Sequence, residues 1–249
     1  MNLEKTTVII PTLNEAEGIG PTITEVLKEV DDPRIIVIDA NSVDETREIA
    51  AELGATVLRQ SGSGKGDAVA QALRHVPKDT KWLAMTDGDY TYPFSIVPSV
   101  IRLMKGRPDV AMVTGNKSHK PRTFQAHLKK LLTDRYYLED QVFTLLHRLL
   151  NGAHMQDPFT GLRVIRYECI KDFQPKARKF DIEVEINHYI LKTTRSKVIE
   201  VPITLRKRLG GSKYSFSDSF EIFHRMVVMA LGDIVANPFS SRTIEAKRL

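Results

Sequence analysis

A doubly wound, mostly parallel α/β sheet is the fold class this sequence predicts, and three observations carry the prediction. Short apolar, β-branched runs recur at Thr6 to Pro11, Ile35 to Asp39, Thr56 to Leu58, Trp82 to Met85 and Val110 to Thr114. Runs with no polar alternation suit strands covered on both faces. Segments of helical spacing separate them, at the interval of βαβ units. Carboxylates stand at strand ends, with Asp39 closing one run and Asp87 and Asp89 following another, in the crevice where open α/β sheets bind ligands.

Taken in order, Thr6 to Pro11 is ended by proline, and the polar loop Thr12-Leu13-Asn14-Glu15 precedes a helix whose start is marked by Gly20 and Pro21. After Ile35 to Asp39, Asn41-Ser42-Val43-Asp44 makes a turn into a helix over Glu45 to Leu53. Thr56 to Leu58 is a short third strand. Gly62-Ser63-Gly64-Lys65-Gly66 then opens a helix to about His75. A Walker phosphate loop would need glycine at 59 and Ser or Thr after the lysine; Arg59 and Gly66 stand there. A glycine-flanked lysine at a helix start still meets anions by charge and helix dipole, or it is a flexible surface loop.

Trp82 to Met85 reads as the close of a buried strand, followed by Asp87-Gly88-Asp89. Asp-Gly-Asp is ordinary turn chemistry. At a buried strand end the two carboxylates also repel and lose solvation, which a divalent cation relieves; oxygen-only ligands favour Mg²⁺ or Mn²⁺ shared with substrate phosphates. A helix over Phe94 to Met104 leads to Val110 to Thr114. The stretch Thr123 to Leu150 interleaves leucines with Lys129, Lys130, Arg135 and Arg148 at helical spacing, as in a packed helix or one lying in a membrane interface. Asp157-Pro158-Phe159-Thr160-Gly161-Leu162-Arg163 follows, then a helix over Glu183 to Leu191, a strand over Val198 to Leu205, the basic loop Arg206 to Lys213 and an amphipathic helix over Phe216 to Leu231. The polar tail Asn237 to Leu249 reads as frayed.

The 249 residues carry 36 basic and 31 acidic side chains, a net charge of +5, with 42% hydrophobic and 27% charged residues. That is the composition of a soluble globular protein. The charge suits phosphate-bearing ligands or an anionic membrane, and no basic run interleaved with aromatics supports nucleic acid. A lone cysteine, Cys169, excludes an internal disulfide framework and agrees with a reducing cytosol. No signal peptide is expected at the amino end, and no apolar run approaches the ~20 residues of a spanning helix.

The ordered loops Pro11-Thr12-Leu13-Asn14-Glu15, Asp39 with Ser42 and Asp44, Lys65-Gly66 and Asp87-Gly88-Asp89 resemble the family 2 inverting glycosyltransferases of GT-A, Rossmann-like fold. With Asp157, Thr160-Gly161-Leu162-Arg163, Glu183 and Gly210-Gly211-Ser212-Lys213, the likeness extends to the polyprenyl (dolichyl)-phosphate hexose synthases, over roughly Thr6 to Lys213. The resemblance implies a nucleotide-sugar site of Pro11, Thr12, Asn14, Glu15, Asp39, Asn41, Ser42, Lys65, Asp87 and Gly88, with Asp39 on the ribose and Asp87 and Asp89 on a metal that neutralises the leaving diphosphate. It implies catalytic roles for Asp89, Asp157 and Arg163. A lipid phosphate, with its second pKa near 6, arrives largely ionised and needs cations; Arg148, Arg163, Arg208, Ser212 and Lys213 are the candidates. The step implied is in-line displacement at C1 with inversion, with Asp157 or Glu183 orienting and no obligatory base.

The sequence departs from the family pattern at Ala40 and Asn41, where Asp and Gly are usual, at Thr91 in place of glutamine, and at Thr160 and Leu162 in place of Ser and Phe. The expected organisation is a catalytic domain over residues 1–215, its nucleotide-sugar half about 1–115 and its acceptor half about 116–215, followed by an amphipathic helix and tail over 216–249. The expected partners are a nucleotide-sugar donor, a polyprenyl or dolichyl phosphate and the cytoplasmic face of a membrane, held peripherally by the amphipathic helices with no transmembrane segment; the oligomeric state is open. UDP-glucose, UDP-N-acetylglucosamine and GDP-mannose are the candidate donors. A soluble or polysaccharide acceptor, or a non-catalytic nucleotide-sugar or membrane-binding role, are the alternatives. A pyrophosphorylase would want a glycine-rich loop after the first strand, and 11–15 holds no glycine.

Overall fold

The structure is a computed structural model that describes residues 5–117, 123–194, 196–211, 213 and 215–236. The tail expected to fray and the acceptor candidate Ser212 lie outside the described residues.

Among the described residues the strands are β1 (Thr6–Thr12), β2 (Arg34–Asp39), β3 (Thr56–Arg59), β4 (Trp82–Met85), β5 (Val110–Asn116), β6 (Arg163–Arg166) and β7 (Lys197–Pro202), and they form one sheet in the order β3-β2-β1-β4-β6-β5-β7. Pairing is parallel between β1 and β2, β1 and β4, β2 and β3, and β5 and β7. Only β6 runs the other way, antiparallel to both β4 and β5. The sequence reading finds the parallel strands and misses β6, whose Arg-Val-Ile-Arg holds only two apolar residues between charged ones.

The helices are α1 (Ala16–Glu29), α2 (Thr46–Glu52), α3 (Lys65–Leu73), α4 (Val97–Lys105), α5 (Phe124–Thr133), α6 (Arg135–Asn151), α7 (Ile182–Thr193) and α8 (Phe216–Ala236). Strand residues alternate between two cores, as the pleat requires. Val8 and Ile10 pack with Ile19, Ile23 and Ile101 from α1 and α4, whereas Ile9 packs with Val69, Ile182 and Ile186 from α3 and α7. A third cluster, Phe143, Leu150, Val184, Ile222 and Met226, joins α6, α7 and α8.

Two helix boundaries differ from expectation for physical reasons. α1 begins at Ala16, with Pro21 inside it, because side chains between β2 and the first residue of α2 cap its amino end: Asp44 accepts from Ala16 N at 3.1 Å and Thr46 from Glu15 N at 2.8 Å. The single helix expected over Thr123 to Leu150 is two, broken at Asp134, which ends α5 and caps α6 by accepting from Tyr137 N at 3.0 Å.

Candidate functional site

Because β6 is reversed, its amino end lies at the carboxyl edge of the other strands, and residues 157–161 join the loops after β1, β2, β4, β5 and β7. Asp87, after β4, meets Lys65 at the first position of α3. Lys65 Nζ stands 2.7 Å from Asp87 Oδ1 and 2.7 Å from Glu183 Oε1. Burial alone would lower the lysine's pKa, but the two carboxylates raise it well above the usual value. Lys65 is therefore a brace between acids. Gly161 leaves Asp87 its space, since a Cβ there would sit 2.7 Å from Asp87 Oδ2.

Asp89 accepts from Thr91 N at 2.9 Å and pairs with Arg208, whose guanidinium also pairs with Glu15. Backbone bonds run alongside, from Leu209 N to Asp89 O at 3.1 Å and from Arg206 N to Thr91 O at 2.9 Å. The basic loop is thus stitched onto the Asp87–Asp89 turn. Lys213 Nζ donates to Asn14 O at 3.1 Å and lies 3.7 Å from Glu15 Oε1. Burial pushes Glu15 up to about 7, against the pull of Arg208 and Lys213.

The loops after β1 and β2 clasp each other. Asp39, expected on the ribose, is fully buried and accepts from Ser42 N at 2.9 Å, Ser42 Oγ and Thr12 Oγ1 at 3.2 Å, with Arg47 at 3.4 Å. Asn14, at φ 51°, donates its N–H to Ser42 Oγ and accepts from Val43 N, both at 2.8 Å. Asn41, at φ 61°, is exposed at the tip.

On the opposite side, Asp157 accepts from Lys117 N at 3.0 Å, and Glu200 of β7 accepts from Gln156 N and Asp157 N, both at 2.7 Å. Asp157 Oδ1 and Glu183 Oε2 are buried without hydrogen bonds. Arg163 is fully buried too, and donates to Asn187 Oδ1 and, at 3.0 Å, to Pro158 O; burial lowers its pKa. Arg148 is exposed on α6.

Two cavities meet here. One, of about 380 Å³, is lined by Pro11, Thr12, Glu15, Gln60, Gly88 and Lys213 among others; the second, of about 540 Å³, by Lys117, Lys130, Asp140, Asp157, Phe159 and Glu183. Lys65, Asp87, Phe180 and Arg208 line both. Asn14, Asp39, Asn41, Ser42, Asp89, Arg148 and Arg163 line neither. The sequence reading misses Gln60, Lys117, Lys130, Asp140, Phe180 and Glu200. Lys117 stands at the end of β5 as Asp87 does at the end of β4, so the same strand-end rule would have found it. Phe180 leaves no such signal. Among the described residues no group of three or more His, Cys, Asp or Glu could by itself hold a metal. The open carboxylate of Asp87, with Asp89 two residues on, fits an ion that completes its shell with phosphate and water.

Residues 7–173 match the family described as glycosyl transferase family 2. The chain is 28% identical over 239 residues to the low-salt glycan biosynthesis hexosyltransferase Agl6 of Haloferax volcanii, covering 93% of this chain and 55% of that one. It is 30% identical over 207 residues to the dolichyl-phosphate hexose transferase of the same organism, covering 83% and 85%. It therefore spans little over half of the first relative's length and most of the second's. A crystal structure of glucosyl-3-phosphoglycerate synthase from Mycobacterium tuberculosis, in complex with Mn²⁺, uridine diphosphate and glucosyl-3-phosphoglycerate, superposes with a TM-score of 0.68 at 18% identity over 91% of this chain and 80% of that one, which shows the GT-A fold. By this family match the chain belongs to glycosyl transferase family 2.

Proposed function

We propose that this protein transfers a hexose from a nucleotide-sugar to the phosphate of a polyprenyl lipid, dolichyl phosphate in the first instance, at the cytoplasmic face of a membrane. The observation that carries the reading is the meeting of two cavities at Lys65, Asp87, Phe180 and Arg208, which gives donor and acceptor separate approaches to one point. The smaller cavity holds the nucleotide, with Arg208 and Lys213 toward its phosphates. Asp87 and Asp89 would hold Mg²⁺ or Mn²⁺, which when bound offsets charge on the departing diphosphate. Lys117 and Lys130 join Arg208 in drawing the acceptor phosphate into the larger cavity. There Asp157 and Glu183, each with a buried oxygen that makes no hydrogen bond, accept hydroxyls of the hexose and orient C1 for attack.

The larger cavity opens beneath α5, α6 and α8. Thirteen of the seventeen large apolar side chains exposed among the described residues stand on these three helices, and no described helix is long and apolar enough to cross a membrane. The helices lie in the membrane interface in this reading.

One feature favours a second reading. The cavity is also lined by Asp134, Glu139 and Asp140, and that acidic rim suits a soluble hydroxyl acceptor with Asp157 as general base. A donor screen decides: purified protein with Mg²⁺ and dolichyl phosphate in detergent against UDP-glucose, UDP-N-acetylglucosamine and GDP-mannose. Lipid-linked product from one donor, lost in Asp89→Ala, is the expected result. Donor hydrolysis or transfer only to phosphorylated small molecules would move the acceptor to solution, and inertness toward every donor would sink the proposal.

A further inference from the structure

The donor cavity holds two side-chain atoms that are buried without hydrogen bonds, Glu15 Oε2 and Gln60 Oε1. Glu15 belongs to the charged end, with Arg208 and Lys213. Gln60 belongs to the other end. It follows β3, while Asp87 follows β4, and the order β3-β2-β1-β4 sets these ends three strand spacings apart, roughly 14 Å. An extended nucleoside diphosphate spans such a distance between the edge of its base and its β-phosphate. Ala40 and Ala68 line the same cavity with small apolar side chains that leave room for a flat ring.

The orientation of the Gln60 amide is fixed by its neighbours. Its Nε2 donates to Gly64 O at 2.8 Å and to Asp67 Oδ2 at 2.9 Å, groups that accept only. Both amide protons are engaged, so the oxygen is the group left over. The residue is 3% exposed, and its own N–H is held by Asp39 O at 2.8 Å. Asp39 offers the base nothing in exchange, because Ser42, Thr12 and Arg47 take up both its oxygens.

We propose that Gln60 Oε1 reads the nucleobase of the donor by accepting its ring N–H, and that it selects uridine. The inference rests on the donor-site reading above. Uracil presents one donor, N3–H, between two carbonyls. Cytosine and adenine put a ring lone pair at that position, facing the oxygen. Guanine brings a second donor, its amino group, beside its ring N–H, and a single carboxamide oxygen matches one of the two. A site built around one polar contact rejects ligands that leave it unmatched more strongly than an apolar pocket rejects a change of size.

Calorimetric titration of the full chain in Mg²⁺ with UDP, CDP and GDP tests this. UDP is expected to bind about tenfold more tightly than either competitor, the effect of one mismatched buried hydrogen bond. Unmodified protein should also take N3-methyl-UDP no better than CDP, a result that needs no variant. In Gln60→Met, with its fold checked by thermal melting, the UDP to CDP ratio should fall below about threefold as the contact is lost. Equal affinity for all three nucleotides, or a preference for GDP, overturns the role of Gln60 while the donor site stands. A ratio that persists in folded Gln60→Met does the same. Absence of binding by every nucleotide overturns the donor-site reading and this inference with it.

Discussion

At the scale of single residues, burial decides roles that residue type alone leaves open. Arg163 is a cation beside the loop of residues 157–161, which in sequence reads as a phosphate ligand; in the fold it is fully buried and shares Pro158 O with Asn187 Nδ2, which donates at 2.8 Å. Arg163→Met leaves Asn187 Oδ1 without its donor and should cost about 1–3 kcal/mol of stability in urea denaturation. If stability holds and the acceptor KM rises manyfold instead, Arg163 is a phosphate ligand after all. The same network fixes His147. Asn187 gives its oxygen to Arg163, so its amide donates to His147 Nε2 at 3.2 Å, and that nitrogen must stay unprotonated. Burial first, then the charge of Arg163 and the neighbouring His188, lowers the His147 pKa to about 3. A base held below its unfolded value near 6.5 stabilises the fold fully above pH 6.5, and the contribution is lost as pH falls toward 3. The denaturation midpoint should therefore drop across that window in the parent chain and drop less in His147→Gln; equal pH slopes would remove His147 from the account.

At the scale of elements, what was legible in the sequence was local and what was not was supplied from a distance. The parallel strands announced themselves through Val8 to Ile10 and Ile35 to Ile38, apolar without a break. The start of α1 did not, because its caps, Asp44 and Thr46, stand on the turn into α2 and on α2 itself, and Pro21 mimicked a first-turn proline. β6 was invisible for a similar reason: four residues become a strand only because β4 and β5 flank them. Of the site, the strand-end aspartates were legible, whereas the cavity walls Phe180 and Gln60 depend on which segments the fold brings together. α1 also yields a prediction in which propensity and packing disagree. Gly18 lies inside the helix, where alanine is worth about 1 kcal/mol more. Yet a Cβ there would stand 2.6 Å from Asp89 Cα and from Gly88 O, backbone atoms of the Asp87–Asp89 turn. Gly18→Ala should lose turnover by two orders of magnitude or thereabouts, as expected for a displacement near 1 Å at the reacting groups. Full activity with a raised melting temperature would show that the turn yields.

At the scale of the whole molecule, the charged crevice and the apolar helices belong to one side of the fold. Phe124, Leu132, Tyr136, Leu145, Leu149 and Phe220 are each more than half exposed, with Lys129, Lys130 and Arg148 among them. Flotation with vesicles rich in anionic lipid should carry the chain upward, less so as salt rises, and Leu145→Glu with Leu149→Glu should abolish it while the melting temperature holds. Unchanged flotation of that double variant would leave these helices as packing only. The reversed strand has a consequence for the order of synthesis. β6 pairs with β4 from the far half of the chain, and Glu183 and Arg208, which neutralise Lys65 and Asp89, come later still. A ribosome delivers Lys65 and Asp89 many seconds before Glu183 and Arg208, at ordinary rates of 5–20 residues per second. A nascent chain thus carries Asp87 and Asp89 before the cavities around them are closed, and competence to consume a donor waits for Arg208 and Lys213.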